Sequence, residues 1–418
     1  MPAAGNTPGS SGVTGAGGAE FRRLLLATAI SVFGSYAAAI ALAVRTFEDT
    51  HQPAWVSAVF AAEFVPPVVI GVFFADRLNR LRPGRALICS DLVNAAVFAL
   101  LAGIHVPVAV VALATVAGAA TGVFRPISIG VVPAVVGEEH IDEANGRLFA
   151  VDTAMSAIGQ AASGAIVAVA GAAVVLGGNA VSFALSAVLL SGCRSLAAVP
   201  ATEGPRRTPL RRLRRSARTI RRAAPLRQVV VAWMPVLLAL GIVNSIEVPL
   251  LLGPLAAGAA VTGITIAAAS AGQTLGSLIA PRLGERLGRR YPLVLGMIGA
   301  TVVASGASPV VALVILLFIA GGIANGLAIV HNRSVVQRSA EADERAGLLA
   351  LLMAAGGVMT AAGAAAGGAI ASASTPRAAF VAAGAVGLAA AGAAWAVGGS
   401  ERGSRLVTLR PRAGRIRR

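Results

Sequence analysis

Two carboxyl groups stand where a carboxyl group is costly. Glu63 lies in "AAEFVPPVV" and Glu247 in "NSIEVPL", each inside a long apolar run. A charge at the centre of a bilayer costs about 2.5–3.5 kcal/mol on insertion scales, so an acid kept there points to proton handling or to contact with a polar ligand. Pro66 and Pro67 follow Glu63, and their rings remove the helical bonds that the carbonyls of Ala62 and Glu63 would otherwise accept. Glu247 has Asn244, Ser245 and Pro249 beside it. Each acid also has a structural reading. Glu63 is then a carboxyl kept neutral or paired for packing, and Glu247 a solvated group reaching for the interface.

Other polar residues in apolar surroundings are Asn94 and Gln160, which either face a central cavity or bridge helices. Asp91 and Asp152 lie near the ends of their runs, where pairing with loop arginines is the expected role and Arg125 is a candidate partner. Cys89, Cys193 and the four histidines show no ligand spacing, so neither a metal site nor a cofactor is expected. No phosphate-binding loop is present, which argues against direct driving by ATP, and the chain is not read as an enzyme.

The elements that position these groups follow from composition. Of 418 residues, 56% are hydrophobic and 13% charged, against about a quarter charged in a soluble domain. Apolar runs long enough to span a bilayer recur along the chain. They suit helices rather than short alternating barrel strands. Twelve spans are expected, at 24–44, 54–75, 86–104, 106–124, 148–170, 173–193, 228–252, 260–281, 291–307, 309–332, 346–371 and 378–398. Arg22 and Arg23 ahead of "LLLATAISVFGSYAAA" have the form of a twin-arginine export signal, but the spans that follow make this a retained first helix.

Charge orients these spans. The net charge is +17, and every basic residue other than histidine is arginine. Arginines crowd before span 1, after span 2, after span 8, at the C-terminus and between spans 6 and 7, whereas the opposite loops hold little beyond Arg45 and Arg377. The arginine-rich side is expected to be cytoplasmic, with both termini there, in the inner (plasma) membrane.

The halves are related. "ADRLNRLRPGR" begins at Ala75 and "APRLGERLGRR" at Ala280, an offset of 280 − 75 = 205, and Arg125 and Arg333 open charged loops at 333 − 125 = 208. This predicts an all-α membrane protein of two six-helix bundles at 22–195 and 228–398. A tail at 1–21, a basic linker at 196–227 and a basic tail at 399–418 complete it. Within the linker, Leu210, Leu213, Ala217, Ile220 and Ala224 repeat at helical spacing with arginines between. That pattern fits an amphipathic helix on anionic lipid. No aromatics interleave for base stacking, so nucleic acid is not an expected partner.

Twelve spans, a two-fold repeat and a charged loop after span 2 together resemble the major facilitator superfamily. "GVFFADRLNRLRPGR" (Gly71–Arg85) is similar to its signature loop, with Asp76, Arg77 and Arg80 at the charged positions and Val72 and Asn79 in place of two glycines. The resemblance implies a gate in which Asp76 meets the start of span 11, near Gly347. "FRPISIGVVPAVVGEEHIDEANG" and "VVQRSAEADERAG" resemble the enterobactin-exporter and macrolide-efflux-like branch. "GQAASG" (Gly159–Gly164) departs from the antiporter element of span 5, with Gln160 for a proline and Ser163 for a glycine.

The resulting expectation is a monomeric secondary transporter working by alternating access. It is expected to export a small amphipathic compound, a drug or secondary metabolite, by proton antiport, as in multidrug resistance. An importer or uniporter of the same fold, and a non-transporting scaffold or sensor, are the alternatives.

Overall fold

The computed structural model describes residues 16–78, 81–198, 218–339 and 342–408. Among the described residues, twelve long helices carry the chain. They are α1 (Ala16–Thr50), α2 (Pro53–Phe73), α3 (Pro83–Gly103), α4 (Pro107–Gly130), α5 (Ile141–Ala170) and α6 (Ala172–Ser191). The second series is α7 (Ala224–Leu252), α8 (Gly258–Leu283), α9 (Glu285–Ala307), α10 (Val311–Ser339), α11 (Ala342–Ala373) and α12 (Pro376–Thr408). Each contains a stretch long and apolar enough to cross a membrane. Every element among the described residues is helical, as the bilayer requires of a backbone that must satisfy itself.

Local chemistry sets the helix ends. Pro53, Pro83 and Pro107 start α2, α3 and α4, where a missing N–H costs nothing. Gly171 closes α5 with φ of 82° and donates its N–H to the Val167 carbonyl at 3.0 Å. An L side chain rarely adopts that backbone conformation, so the α5–α6 corner calls for glycine.

Several helices run past the apolar windows that mark them in sequence. Arg125 and Arg333 were expected to open loops, yet they stand inside α4 and α10. Hydropathy marks only the hydrocarbon-embedded part, whereas backbone hydrogen bonding continues into the polar interface. Residues 199–217 of the basic linker, with Leu210, Leu213 and Ala217 of its amphipathic pattern, lie outside the described residues, as do Arg80, residues 1–15 and residues 409–418, whereas Ile220 and Ala224 are helical and residues 16–21 and 399–408 of the expected tails belong to α1 and α12.

The chain divides into two compact units, Met1–Arg206 with Ala257–Ala267, and Arg207–Ala256 with Ala268–Arg418. In the first unit α1 packs on α5 and α6, α3 on α6 and α4, and α2 on α4. In the second, α7 packs on α11 and α12, and α9 on α12 and α10. The sequence repeat is thus a repeat of packing partners. One core of the first unit joins Leu42, Phe98, Leu101, Leu176 and Phe183, with the Phe98 and Phe183 rings stacked at 5.8 Å. In the second unit Val236, Leu287, Tyr291, Leu295 and Ile298 form the corresponding centre.

Glycines set the closest approaches. Gly272 and Gly276 of α8 lie against the carbonyls of Ile319 and Ile323, while Gly322 and Gly326 of α10 lie against those of Ala269 and Gln273. The two GxxxG pairs therefore face each other reciprocally, backbone to backbone. Gly363 of α11 meets the Leu238 carbonyl of α7 in the same way.

Candidate functional site

Glu63 sits half-buried in α2. The helix continues through Pro66 and Pro67, so the carbonyls of Ala62 and Glu63 have no amide partner one turn on. Both point at α4. A Cβ placed on Gly118 would stand 2.6 Å from the Ala62 oxygen and 2.9 Å from the Glu63 oxygen, and one on Gly122 would stand 2.7 Å from the Pro67 Cα. The freed carbonyls are thus backed by bare glycine backbone, which leaves room for weak Cα–H···O contacts. The Phe60 and Phe64 rings stack at 4.4 Å on the same helix, placing apolar surface beside the carboxyl. Among the described residues, none of the ion pairs includes Glu63.

Glu247 is half-buried in α7 and Asn244 is exposed. Between them Ser245 is buried, its hydroxyl donating to the Ile242 carbonyl at 3.0 Å, with the Ala364 carbonyl of α11 at 3.5 Å. Pro249 lies inside the helix and denies the Ser245 carbonyl its usual amide partner. Both acids therefore neighbour a proline-interrupted stretch of helix, in different units of the fold.

The remaining sequence candidates separate from these. Asp91 and Asn94 are each 1% exposed on the packed face of α3. Neither Asp91 oxygen makes a hydrogen bond of normal geometry, and the hydroxyl of buried Ser186 in α6 is its neighbour. Among the described residues no ion pair joins Asp91, Arg125 or Asp152 to any group. Arg125 is exposed on α4 and Asp152 half-buried on α5, because α4 carries its arginine outward on a helix that continues to Gly130. Asn179 and Ser182 of α6 complete a buried polar layer, with the Ser182 hydroxyl donating to the Asn179 carbonyl at 2.8 Å and Gly34 of α1 pressed against both side chains.

The span 5 element is built into helix contacts. Gly159 abuts the Phe33 carbonyl, the Ser163 hydroxyl donates to the Ala37 carbonyl of α1 at 2.7 Å, and Gly164 meets Gly263 and Ala259 at the start of α8. Gln160 is half-buried among them. Ser163 thus uses its hydroxyl to tie α5 to α1 at the position where a glycine was expected. In the signature loop, Asp76 and Arg77 fall in a short helix, Ala75–Leu78, and the Arg77 guanidinium lies 5.3 Å from the Phe74 ring centre. The Asp76 and Gly347 side-chain positions and all of Arg80 lie outside what is described.

Two arginines that sequence reasoning left without a role have one. Arg45, 5% exposed, donates to the Leu101 carbonyl at 2.5 Å, and Arg377 donates to the Gly306 and Ser308 carbonyls at 3.0 and 2.6 Å. These carbonyls end α3 and α9, and 306 − 101 = 205 is the repeat offset. A helix C-terminus carries unpaired carbonyls and partial negative charge, which holds each cation on the arginine-poor side.

None of the curated protein sequences compared with the chain matches it. Solved structures match it in fold. A point mutant of the nucleoside transporter NupG superposes with a TM-score of 0.74 at 14% identity, over 90% of this chain and 99% of that one. A bacterial homologue of the human lysosomal transporter Spinster gives 0.72 at 12%, over 94% and 98%. A POT family transporter gives 0.70 at 12%, over 89% and 94%. The model of the Major Facilitator Superfamily matches residues 24–258 and again residues 236–415. The match in both halves, the repeated packing and the twelve spans lead to one conclusion: this chain belongs to the Major Facilitator Superfamily.

Proposed function

We propose that the chain is a proton-coupled exporter of a small amphipathic compound, working by alternating access, with Glu63 as the group that carries the proton. The observation behind this reading is the setting of Glu63. A half-buried carboxyl stands within a membrane span, without a described basic partner, beside two carbonyls that Pro66 and Pro67 have freed. Hydrocarbon penalises the charged form of such a group, so it has reason to exchange a proton as its surroundings change. Its loss or gain of charge would favour one conformational state over another. The adjacent Phe60–Phe64 stack supplies apolar surface for a compound with both apolar and polar parts. The names of the structural relatives do not point to one cargo, so the substrate class rests on this chemistry alone. The distribution of arginine supports both termini in the cytoplasm.

The experiment is flux driven by a pH gradient in proteoliposomes, alongside a direct binding assay, comparing wild type with Glu63→Gln. The variant keeps shape and hydrogen bonding but cannot titrate. Gradient-driven flux is expected to disappear while folding and substrate binding persist. Flux at the wild-type rate in the variant would make Glu63 structural and pass the proton role to Glu247 or to no residue.

A further inference from the structure

The start of α9 carries a stripe that neither the transport reading nor the core requires. Arg286, Arg290, Leu293 and Met297 are spaced 4, 3 and 4 residues apart, which puts them on one face of the helix. With Val294 and with Leu327 of α10 they line a groove of about 220 Å³. The arginines occupy its first turn, about 6 Å along the axis, and the apolar side chains the next 10 Å or so. Leu293 is 72% exposed and Met297 38% exposed, so the groove opens sideways along a membrane-spanning helix. Both arginines are exposed, and among the described residues neither takes part in an ion pair.

We propose that this groove binds one anionic phospholipid, its phosphate held by Arg286 and Arg290 and one acyl chain laid along Leu293 and Met297 against Leu327. Two guanidinium groups one turn apart match a phosphate with charge and with paired N–H donors. A soluble anion would leave the apolar two-thirds of the groove unused, and a zwitterionic lipid would bring a compensating cation to the arginines. The volume suits a length of acyl chain rather than a folded partner. Basic pockets at the ends of membrane helices are the general form of such sites. The repeat provides an internal control. The positions 205 residues earlier are Leu81, Arg85, Ile88 and Leu92, so the first half keeps the apolar stripe but only one arginine.

The full-length protein, purified in detergent, is offered phosphatidylglycerol or phosphatidylcholine, and bound lipid is counted by native mass spectrometry. Wild type is expected to retain phosphatidylglycerol over phosphatidylcholine. Arg286→Ala with Arg290→Ala should lower that retention about tenfold or more, given about 1 kcal/mol per basic residue near anionic lipid. The double lysine variant, which keeps the charge and the fold, should recover at least part of it. Leu293→Gln with Met297→Gln should also lower it, and Arg85→Ala should not. Unchanged retention in the double alanine variant would overturn the proposal. So would displacement of the lipid by millimolar inorganic phosphate, which would make this a plain anion site.

Discussion

Gly118 of α4 lies against the backbone carbonyl of Glu63 in α2, so closely that a methyl group on the glycine would stand 2.9 Å from that oxygen. The carbonyl is free because Pro67 has no N–H to offer it. Proline on one helix and glycine on the other thus form a single device. The first opens the backbone beside the acid, and the second gives that opened backbone a surface to rest on.

Gly118→Ala should therefore be costly. Its methyl would also come within 2.6 Å of the Ala62 oxygen, and backbone on both sides leaves no side chain free to yield. Overpacking of this kind costs about 1–3 kcal/mol. Gly177→Ala, in a helix with nothing within 4 Å of the new methyl, should be neutral or slightly stabilising. Thermal unfolding of the two variants in the same detergent checks this. Equal midpoints would mean that α2 and α4 do not meet as described.

Removing the arginine caps should loosen the ends of α3 and α9. Arg45→Met and Arg377→Met keep much of the apolar stem but leave the carbonyls of Leu101, Gly306 and Ser308 without their donors. A hydrogen bond to a charged group is worth about 1.5–3 kcal/mol. Each variant should lose stability of that order, and hydrogen exchange should quicken at residues 99–103 in the first and 304–308 in the second. Exchange unchanged at both helix ends would remove the capping role.

Asp91→Asn distinguishes an unpaired buried acid from an ion-paired one. Breaking a buried ion pair by removing one partner costs about 3–5 kcal/mol. The Asp91 carboxyl has the Ser186 hydroxyl beside it and no arginine at ion-pair distance among the described residues. The amide variant should thus match or exceed wild-type stability in a denaturant titration. A loss of several kcal/mol would reveal a cationic partner after all.

The sequence by itself determined the class of fold, the number of spans and the two-fold repeat. Each rests on sums over contiguous residues: hydropathy over a bilayer's thickness, arginine counted loop by loop, and a motif recurring at a constant offset. The same local reasoning found Glu63 and the carbonyls freed by Pro66 and Pro67, since a proline acts on residues within one turn. Tertiary structure decided what each helix face meets. That Gly118 receives the Glu63 carbonyl, that Asp91 lies beside Ser186, and that Arg45 and Arg377 close the ends of α3 and α9 all depend on partners 55 to 95 residues away along the chain. A helix's rotation about its own axis is set by packing against such distant neighbours, and in hydrocarbon hydropathy distinguishes its faces poorly, because lipid and protein interior are equally apolar.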